Sequence, residues 1–231
     1  VLMDKNKANN QFLKNFFHLA FPVMIHALIT YIVTFVDNIM VGSISNIAVS
    51  AVYASNQAFF LFSVIAYGLS ISGGIMIQQF FGAKDEEHMK QSFRMKMIFM
   101  TIYLVITIPL LYLFVDKLLY FYCKEDPQCS LILEESLSYI RIVLISYIAY
   151  GYAVVYSTSL REIGKTKDAM IGGIAALITN VVFTSIFIFG FNMGVSGAAI
   201  ATVMARFVEV IMLIIFSHVN KYTFCTGAYS N

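Results

Sequence analysis

One acidic residue stands inside a long apolar run near the start of this chain. Asp37 belongs to the stretch from Phe16 to Met40, which contains no other carboxylate and no Lys or Arg. An ionisable side chain in a membrane-spanning helix is costly, so it usually faces the interior of a helix bundle and handles ions or protons. The position of Asp37 therefore points to transport.

Three further polar side chains are expected at a similar depth. With a rise of about 1.5 Å per residue, Asp37, Thr184 and Thr202 each lie roughly 8–11 Å from the outer ends of their predicted helices. Asn180 lies one turn from Thr184 on the same helical face, because positions i and i+4 are stacked. These four residues are the candidate site for ion or proton coupling.

Two coupling chemistries fit these groups. Carboxylate, amide and hydroxyl oxygens can replace the water that a small hard cation such as Na+ loses. A buried carboxylate suits a proton equally well, because burial disfavours its charged form. In the alternative interpretation, Asn180, Thr184 and Thr202 only form hydrogen bonds between helices or to the backbone. The residue types alone do not separate these cases.

A second candidate pair lies further along the last predicted helix. Arg206 and Glu209 are three residues apart, close enough on a helix to form an ion pair. We favour a structural salt bridge that hides two charges from lipid. A gate or a proton relay is the second interpretation.

A substrate cavity and a helix bend complete the site predictions. Met and aromatic side chains can line an adaptable pocket for bulky organic cations, although most of them are expected to pack in the core or against lipid. The candidate cavity residues are Tyr147, Tyr150, Asn56 and Gln57. Pro22 removes a hydrogen bond from the helix that carries Asp37, so we expect a bend there.

The composition of the chain sets its class. Hydrophobic residues make up 59% of the 231 residues and charged residues 12%, and the mean hydropathy is +0.78. Such a composition is typical of an integral membrane protein in a lipid bilayer, and we expect no nucleic-acid partner. The three cysteines lack metal-binding spacing, so no metal or other cofactor is predicted beyond Na+ at the coupling site. Cys123 and Cys129 could form a small disulfide, but free thiols are favoured.

Six apolar stretches are long enough to cross the bilayer, which takes about 20 helical residues. We place these predicted helices near 16–40, 53–80, 97–115, 137–160, 169–190 and 195–217. A barrel would instead show short alternating segments, so an all-α membrane fold is expected. The first stretch is too long for a signal peptide and should remain in the protein.

Basic residues are distributed unequally between the two sets of loops. Most of them fall before the first predicted helix, after the second, after the fourth and after the sixth, all on one side of the membrane. Lys and Arg accumulate on the cytoplasmic side of short loops. We therefore expect a multi-pass protein with both termini in the cytoplasm, in the plasma membrane of a bacterium.

Four motifs give the chain a resemblance to a known family. They are Phe21-Pro22 with Val36-Asp37-Asn38-Ile39-Met40-Val41-Gly42, then Gln78-Gln79-Phe80-Phe81-Gly82-Ala83-Lys84, then Leu160-Arg161-Glu162-Ile163-Gly164-Lys165-Thr166, and finally the run from Gly194 to Thr202. In this order they resemble the amino-terminal half of the multidrug and toxic compound extrusion (MATE) transporters. The resemblance covers nearly all of residues 15–218.

The resemblance implies a secondary active exporter that expels amphipathic or cationic organic compounds in exchange for Na+ or H+. The family fold has twelve helices in two lobes that rock to give alternating access. Asp37, Asn180 and Thr202 match acidic, amide and hydroxyl residues of the family's amino-terminal cation site. Thr184 departs from the pattern, because some members have a second aspartate there, which weakens the case for sodium.

The length of the chain supplies one lobe of the expected two. We divide it into a cytoplasmic leader at 1–15, a six-helix lobe at 16–218 and a tail or linker at 219–231. A partial chain is favoured over a half-transporter whose second lobe is another copy. A lipid-linked oligosaccharide flippase is the nearest alternative, but it should have more cationic cavity residues than Arg141 and Arg206. An intramembrane enzyme is the distant alternative, and no enzymatic activity is expected.

Overall fold

The computed structural model describes the backbone of residues 5–225, and within the first helix it describes all side chains except those of 5–10, 12, 15, 18, 19, 22, 26 and 33. Six helices follow one another: α1 (Lys5–Gly42), α2 (Asn46–Ala83), α3 (Glu86–Cys123), α4 (Cys129–Glu162), α5 (Thr166–Ser185) and α6 (Gly194–Val219). One π-helical turn, Ile186–Gly190, extends α5. All six are long and apolar enough to cross a membrane. The predicted all-α fold with six spans is confirmed.

The first four helices extend beyond their predicted bounds, whereas α5 and α6 begin within three residues of theirs. α2 begins where the Ser45 side chain accepts a hydrogen bond from the Ala48 amide at 3.0 Å. α3 begins where Asp85 accepts one from the His88 amide at 3.1 Å. Such N-caps start helices inside segments that hydropathy alone assigns to loops. The predicted boundaries at residues 53 and 97 were therefore wrong by several residues, and α1 is already helical within the predicted leader.

α4 is the central helix of the lobe. It packs against α2, α3 and α6, whereas α1 lies at one side and packs mainly against α5. Ile140, Tyr147 and Val155 of α4 are completely buried. α2 faces α4 with small side chains, including the buried Ala58 and Ala66, and small residues let two helices approach closely in a membrane.

A buried ion pair joins α3 to α4. Lys96 Nζ donates to both carboxylate oxygens of Glu162, at 3.0 and 2.9 Å, and the side chains of the pair are 0% and 6% exposed. The same ammonium also donates to Thr158 and Ser159, and Thr158 shares a 2.7 Å hydrogen bond with Ser70 of α2. The charge pattern predicts that the basic residues between the second and third predicted helices, Lys96 among them, lie in a loop. Lys96 instead lies inside α3.

The cysteine prediction also needs correction. Cys123 and Cys129 form a disulfide across the short turn between α3 and α4. The sequence allows this disulfide but favours free thiols. The two long helices instead bring residues six positions apart face to face, with Cα atoms separated by 5.0 Å, which is within the range a disulfide can bridge.

The residues after α6 fold back against the lobe. The Tyr222 hydroxyl donates to the Asp168 carboxylate near the start of α5, and the completely buried Phe224 packs on Phe93 of α3. Cys225 is buried as well. Burial raises the pKa of the Cys225 thiol to about 12. Burial and then the hydrogen bond to Asp168 raise the pKa of Tyr222 to about 12.

Candidate functional site

A cavity of about 300 Å³ lies between α1, α2, α4, α5 and α6. The apolar part of its wall includes Val41, Val52 and Phe59. Its polar part consists of Asp37, Asn38, Thr30 and Thr34 from α1, Ser55 and Asn56 from α2, Tyr139, Ser146 and Tyr147 from α4, Asn180 and Thr184 from α5, and Thr202 and Arg206 from α6. Three of these helices, α1, α5 and α6, thus bring all four predicted coupling residues to one place.

Asp37 is tied to α5 and α6 by a short chain of hydrogen bonds. When the Asn180 side chain is oriented with its amide nitrogen toward Asp37, that nitrogen donates to the two carboxylate oxygens of Asp37, at 2.5 and 3.1 Å. Thr202 Oγ1 lies 3.4 Å from the other end of the Asn180 amide group, and its single proton can go either to that amide oxygen or to the Ala198 carbonyl, which is 3.0 Å away. Asp37 is half-buried and Asn180 is buried, and both line the cavity.

This arrangement can serve either coupling chemistry. A hydrogen bond from an amide nitrogen stabilises a carboxylate, and a carboxylate in a cavity can take up a proton. Rotation of the Asn180 amide would turn its oxygen toward Asp37, where the two groups could coordinate a cation together. Thr184 is 2% exposed and lies one turn from Asn180, and it contributes a hydroxyl at the same wall.

Sequence reasoning did not single out Tyr139 as a site residue. This tyrosine of α4 is 6% exposed and lines the cavity, where its hydroxyl interacts with Thr202. The spacing of Tyr139 and Tyr147, eight residues or about two turns apart, is the signal that both face the same side.

Arg206 and Glu209 form the predicted ion pair at the other end of the cavity. Arg206 Nη1 donates to Glu209 Oε2 at 2.8 Å. The guanidinium also lies over two aromatic rings, 5.7 Å from the centre of Phe59 and 5.1 Å from that of Tyr150. Arg206 lines the cavity, whereas Glu209 does not.

Only some of the remaining predicted site residues line the cavity. Asn56 and Tyr147 line the cavity, whereas Gln57 does not. Tyr150 contacts the cavity indirectly, through Arg206. Pro22, the predicted bend in α1, lies outside the residues whose side chains the structure describes.

A family model described as MatE matches residues 22–186 of the chain. The chain belongs to the MatE family. A probable multidrug resistance protein NorM of Thermotoga maritima is 28% identical over 204 residues, which cover 84% of this chain and 42% of that protein. A multidrug export protein MepA of Staphylococcus haemolyticus is 26% identical over 208 residues, covering 88% and 44%.

Solved MATE structures show the same fold. One, an outward-facing multidrug resistance MATE family transporter of the MOP superfamily, superposes with a TM-score of 0.83 at 23% identity, covering 91% of this chain and 46% of that one. The chain thus spans about half the length of the MATE relatives that it matches. The predicted resemblance to an amino-terminal MATE lobe is confirmed.

Proposed function

We propose that this chain is one lobe of a secondary active multidrug exporter, which expels amphipathic or cationic organic compounds in exchange for Na+ or H+. The observation that carries the proposal is the placement of Asp37, Asn180 and Thr202 from three helices at the wall of one cavity. The proteins named NorM and MepA support the multidrug part of the proposal, because their printed names describe drug resistance and export.

Coupling follows if the substrate and the coupling ion cannot bind to the Asp37 carboxylate at the same time. A proton or Na+ at Asp37 neutralises the only carboxylate among the described cavity residues, which weakens its attraction for a cationic substrate. Departure of the ion restores that attraction. The ion and the substrate thereby favour different states of the same site, which is the thermodynamic requirement for exchange.

The whole transporter requires a second lobe across the cavity. MATE relatives of roughly twice the matched length support two lobes in one protein. The second lobe is proposed either as a further part of the same protein or as another copy of this chain, and the membrane is proposed to be the bacterial plasma membrane.

One observation weighs against the flippase alternative. Arg206 is the only Lys or Arg among the described residues that line the cavity. A lipid-linked oligosaccharide carries several phosphate charges, for which a cluster of basic residues is expected. The cavity therefore suits a smaller organic compound better.

The proposal is tested by efflux of the cationic dye ethidium from vesicles that contain the reconstituted two-lobed transporter, either the whole protein or two copies of this chain. An imposed proton or sodium gradient should accelerate efflux, and the gradient that does so identifies the ion. Asp37→Asn should abolish the acceleration, since an amide neither binds a proton nor attracts a cation. Asp116→Asn, at an exposed carboxylate on α3, is the matched control and should behave as wild type. Gradient-driven efflux by Asp37→Asn at the wild-type rate would remove Asp37 from the mechanism.

A further inference from the structure

One exposed face of α4 presents charged and apolar side chains in a defined order. Glu134, Arg141, Ile145 and Ile148 are all exposed, and at 3.6 residues per turn they lie within an arc of about 60° around the helix. None of them lines the cavity at Asp37. Arg141 lies about 10 Å along the helix from Glu134, and the two isoleucines lie about 6 and 10 Å beyond Arg141. The order along this face is therefore carboxylate, guanidinium and apolar surface.

Arg141 lies close to the end of the bundle at which α4 begins. Ser138 shares a 3.2 Å hydrogen bond with Ser196 in the first turn of α6, so this part of α4 is level with the start of α6 at Gly194. Arg141 is three residues, or about 4.5 Å, deeper than Ser138. A helical side chain leans toward the N-terminus of its helix. We therefore expect the guanidinium on the headgroup side of its own Cα atom, toward Glu134.

The two charged side chains of this face have no partner in the described part of the chain. No hydrogen bond or ion pair joins the Arg141 or the Glu134 side chain to another described residue. An arginine that faces lipid without a counter-charge is costly, and extension of its side chain toward the interface lowers that cost. The guanidinium is therefore available to bind an anion at the level of the lipid headgroups.

A second cavity lies beside Glu134, at the ends of α2, α4 and α6 that are level with Ser138. Its volume is about 290 Å³. Its polar lining includes Ser45, Glu134, Glu135, Ser138 and Ser196, and none of the described residues that line it is Lys or Arg. Carboxylate and hydroxyl oxygens accept hydrogen bonds, and an ammonium group only donates them. This cavity therefore suits an ammonium group that comes from the side of Arg141.

We propose that this face of α4 binds a phospholipid whose headgroup has a primary ammonium, as in phosphatidylethanolamine. The phosphate binds the Arg141 guanidinium, whose planar fork matches two phosphate oxygens. The ammonium binds Glu134 at the edge of the second cavity, and the acyl chains pack on Ile145 and Ile148. The three parts of the lipid thus follow the order of their partners on α4. The charge rule assigns this end of the bundle, and with it the bound lipid, to the outer leaflet.

Native mass spectrometry of the purified two-lobed transporter tests the proposal with three phospholipids that have the same acyl chains. Wild type should bind phosphatidylethanolamine about tenfold more tightly than phosphatidylglycerol, which has no ammonium, or phosphatidylcholine, whose ammonium has no N–H donor. Arg141→Met should weaken binding of all three lipids, because each has a phosphate. Glu134→Gln should weaken binding of phosphatidylethanolamine alone. Equal binding of the three lipids by wild type, or unchanged binding by both variants, would overturn the proposed site.

Three controls separate this site from general attraction between the protein and lipids. The exchange variant Glu134→Arg/Arg141→Glu keeps the composition but reverses the order of the charges, so it should lose the preference for phosphatidylethanolamine. Lys117→Met, at an exposed lysine of α3, should bind as wild type does, and a loss equal to that of Arg141→Met would contradict a specific site. Glycerophosphoethanolamine, which has no acyl chains, should show no binding. Binding as tight as that of the lipid would instead indicate a site for the free headgroup and overturn the proposal.

Discussion

Lys96 and Glu162 carry opposite charges into the interior of the lobe, away from the cavity. The ammonium is satisfied by the carboxylate and by two hydroxyls, so neither charge is left without a partner. A buried pair of this kind contributes little net free energy compared with an apolar pair, but it becomes expensive when only one member remains. Its effect is to fix the positions of α3 and α4 relative to each other.

Glu162→Gln should therefore lower the free energy of unfolding by about 3–5 kcal/mol, because it leaves the Lys96 charge buried and uncompensated. The double variant Lys96→Met/Glu162→Leu should recover most of that loss, since it buries no charge. Denaturation with SDS in mixed micelles measures the free energy of unfolding of the wild type and of both variants. Glu135→Gln, at an exposed carboxylate of α4, is the matched control. A double variant as unstable as the single one would show that the ion pair itself stabilises the lobe.

Depth along each predicted helix was enough to place Asp37, Asn180, Thr184 and Thr202 together, because helix rise is constant. The rule that places basic residues in loops failed for Lys96. A basic residue near the end of an apolar run counts as a loop residue under the charge rule, and its partner lies 66 positions away. Arg206 and Glu209 could be paired from the sequence because they are close neighbours on one helix. Pairs between helices depend on packing, which one sequence does not reveal.

At the scale of the helix, glycine residues of α2 allow α3 and α4 to pack closely against it. A Cβ atom at Gly74 would overlap the Glu162 carboxylate of α4, and one at Gly73 would overlap the Lys96 side chain of α3. Gly68, on the exposed side of the same helix, has nothing within 4 Å of its Cβ position. The two adjacent glycines therefore make room for the buried ion pair.

Gly74→Ala should lower the free energy of unfolding by about 1–3 kcal/mol, because the added methyl group overpacks the contact with Glu162. Gly68→Ala should instead be neutral or raise it by up to about 1 kcal/mol, since alanine is the better helix former. The same SDS titration compares the two variants. Equal effects at both positions would mean that helix propensity alone, and not the close approach of α4, determines the outcome.

Hydropathy predicts that the six helices exist, but it does not predict where each of them begins and ends. The existence and order of six helices followed from apolar length alone, because a bilayer sets the minimum span. Their ends did not, since α3 continues through the charged segment 86–96 to its cap at Asp85 and α2 begins seven residues before its predicted start, at the cap Ser45. The turn between α3 and α4 is shorter than the predicted loop, and the Cys123–Cys129 disulfide, the less favoured of the two predicted states, is the one that forms.

At the scale of the whole molecule, two features agree on the orientation in the membrane. Lys and Arg are concentrated at one end of the helix bundle, which the charge rule assigns to the cytoplasm. The Cys123–Cys129 disulfide lies at the opposite end, in the turn from α3 to α4, and disulfides persist in oxidising compartments outside the cytosol. We therefore expect the turn after α1 to face outward and the turn after α2 to face the cytoplasm.

Single cysteines at these two turns should react from opposite sides of the membrane. Ser43 and Glu87 are both exposed, so a membrane-impermeant maleimide should label Ser43→Cys in intact cells and Glu87→Cys only in inverted vesicles. The protein without either substitution is the blank. Its free thiol, Cys225, is buried, and because burial raises its pKa to about 12 the reactive thiolate forms only as the pH approaches that value. The reverse pattern would invert the orientation, and labelling of both cysteines from one side would contradict α2 as a membrane span.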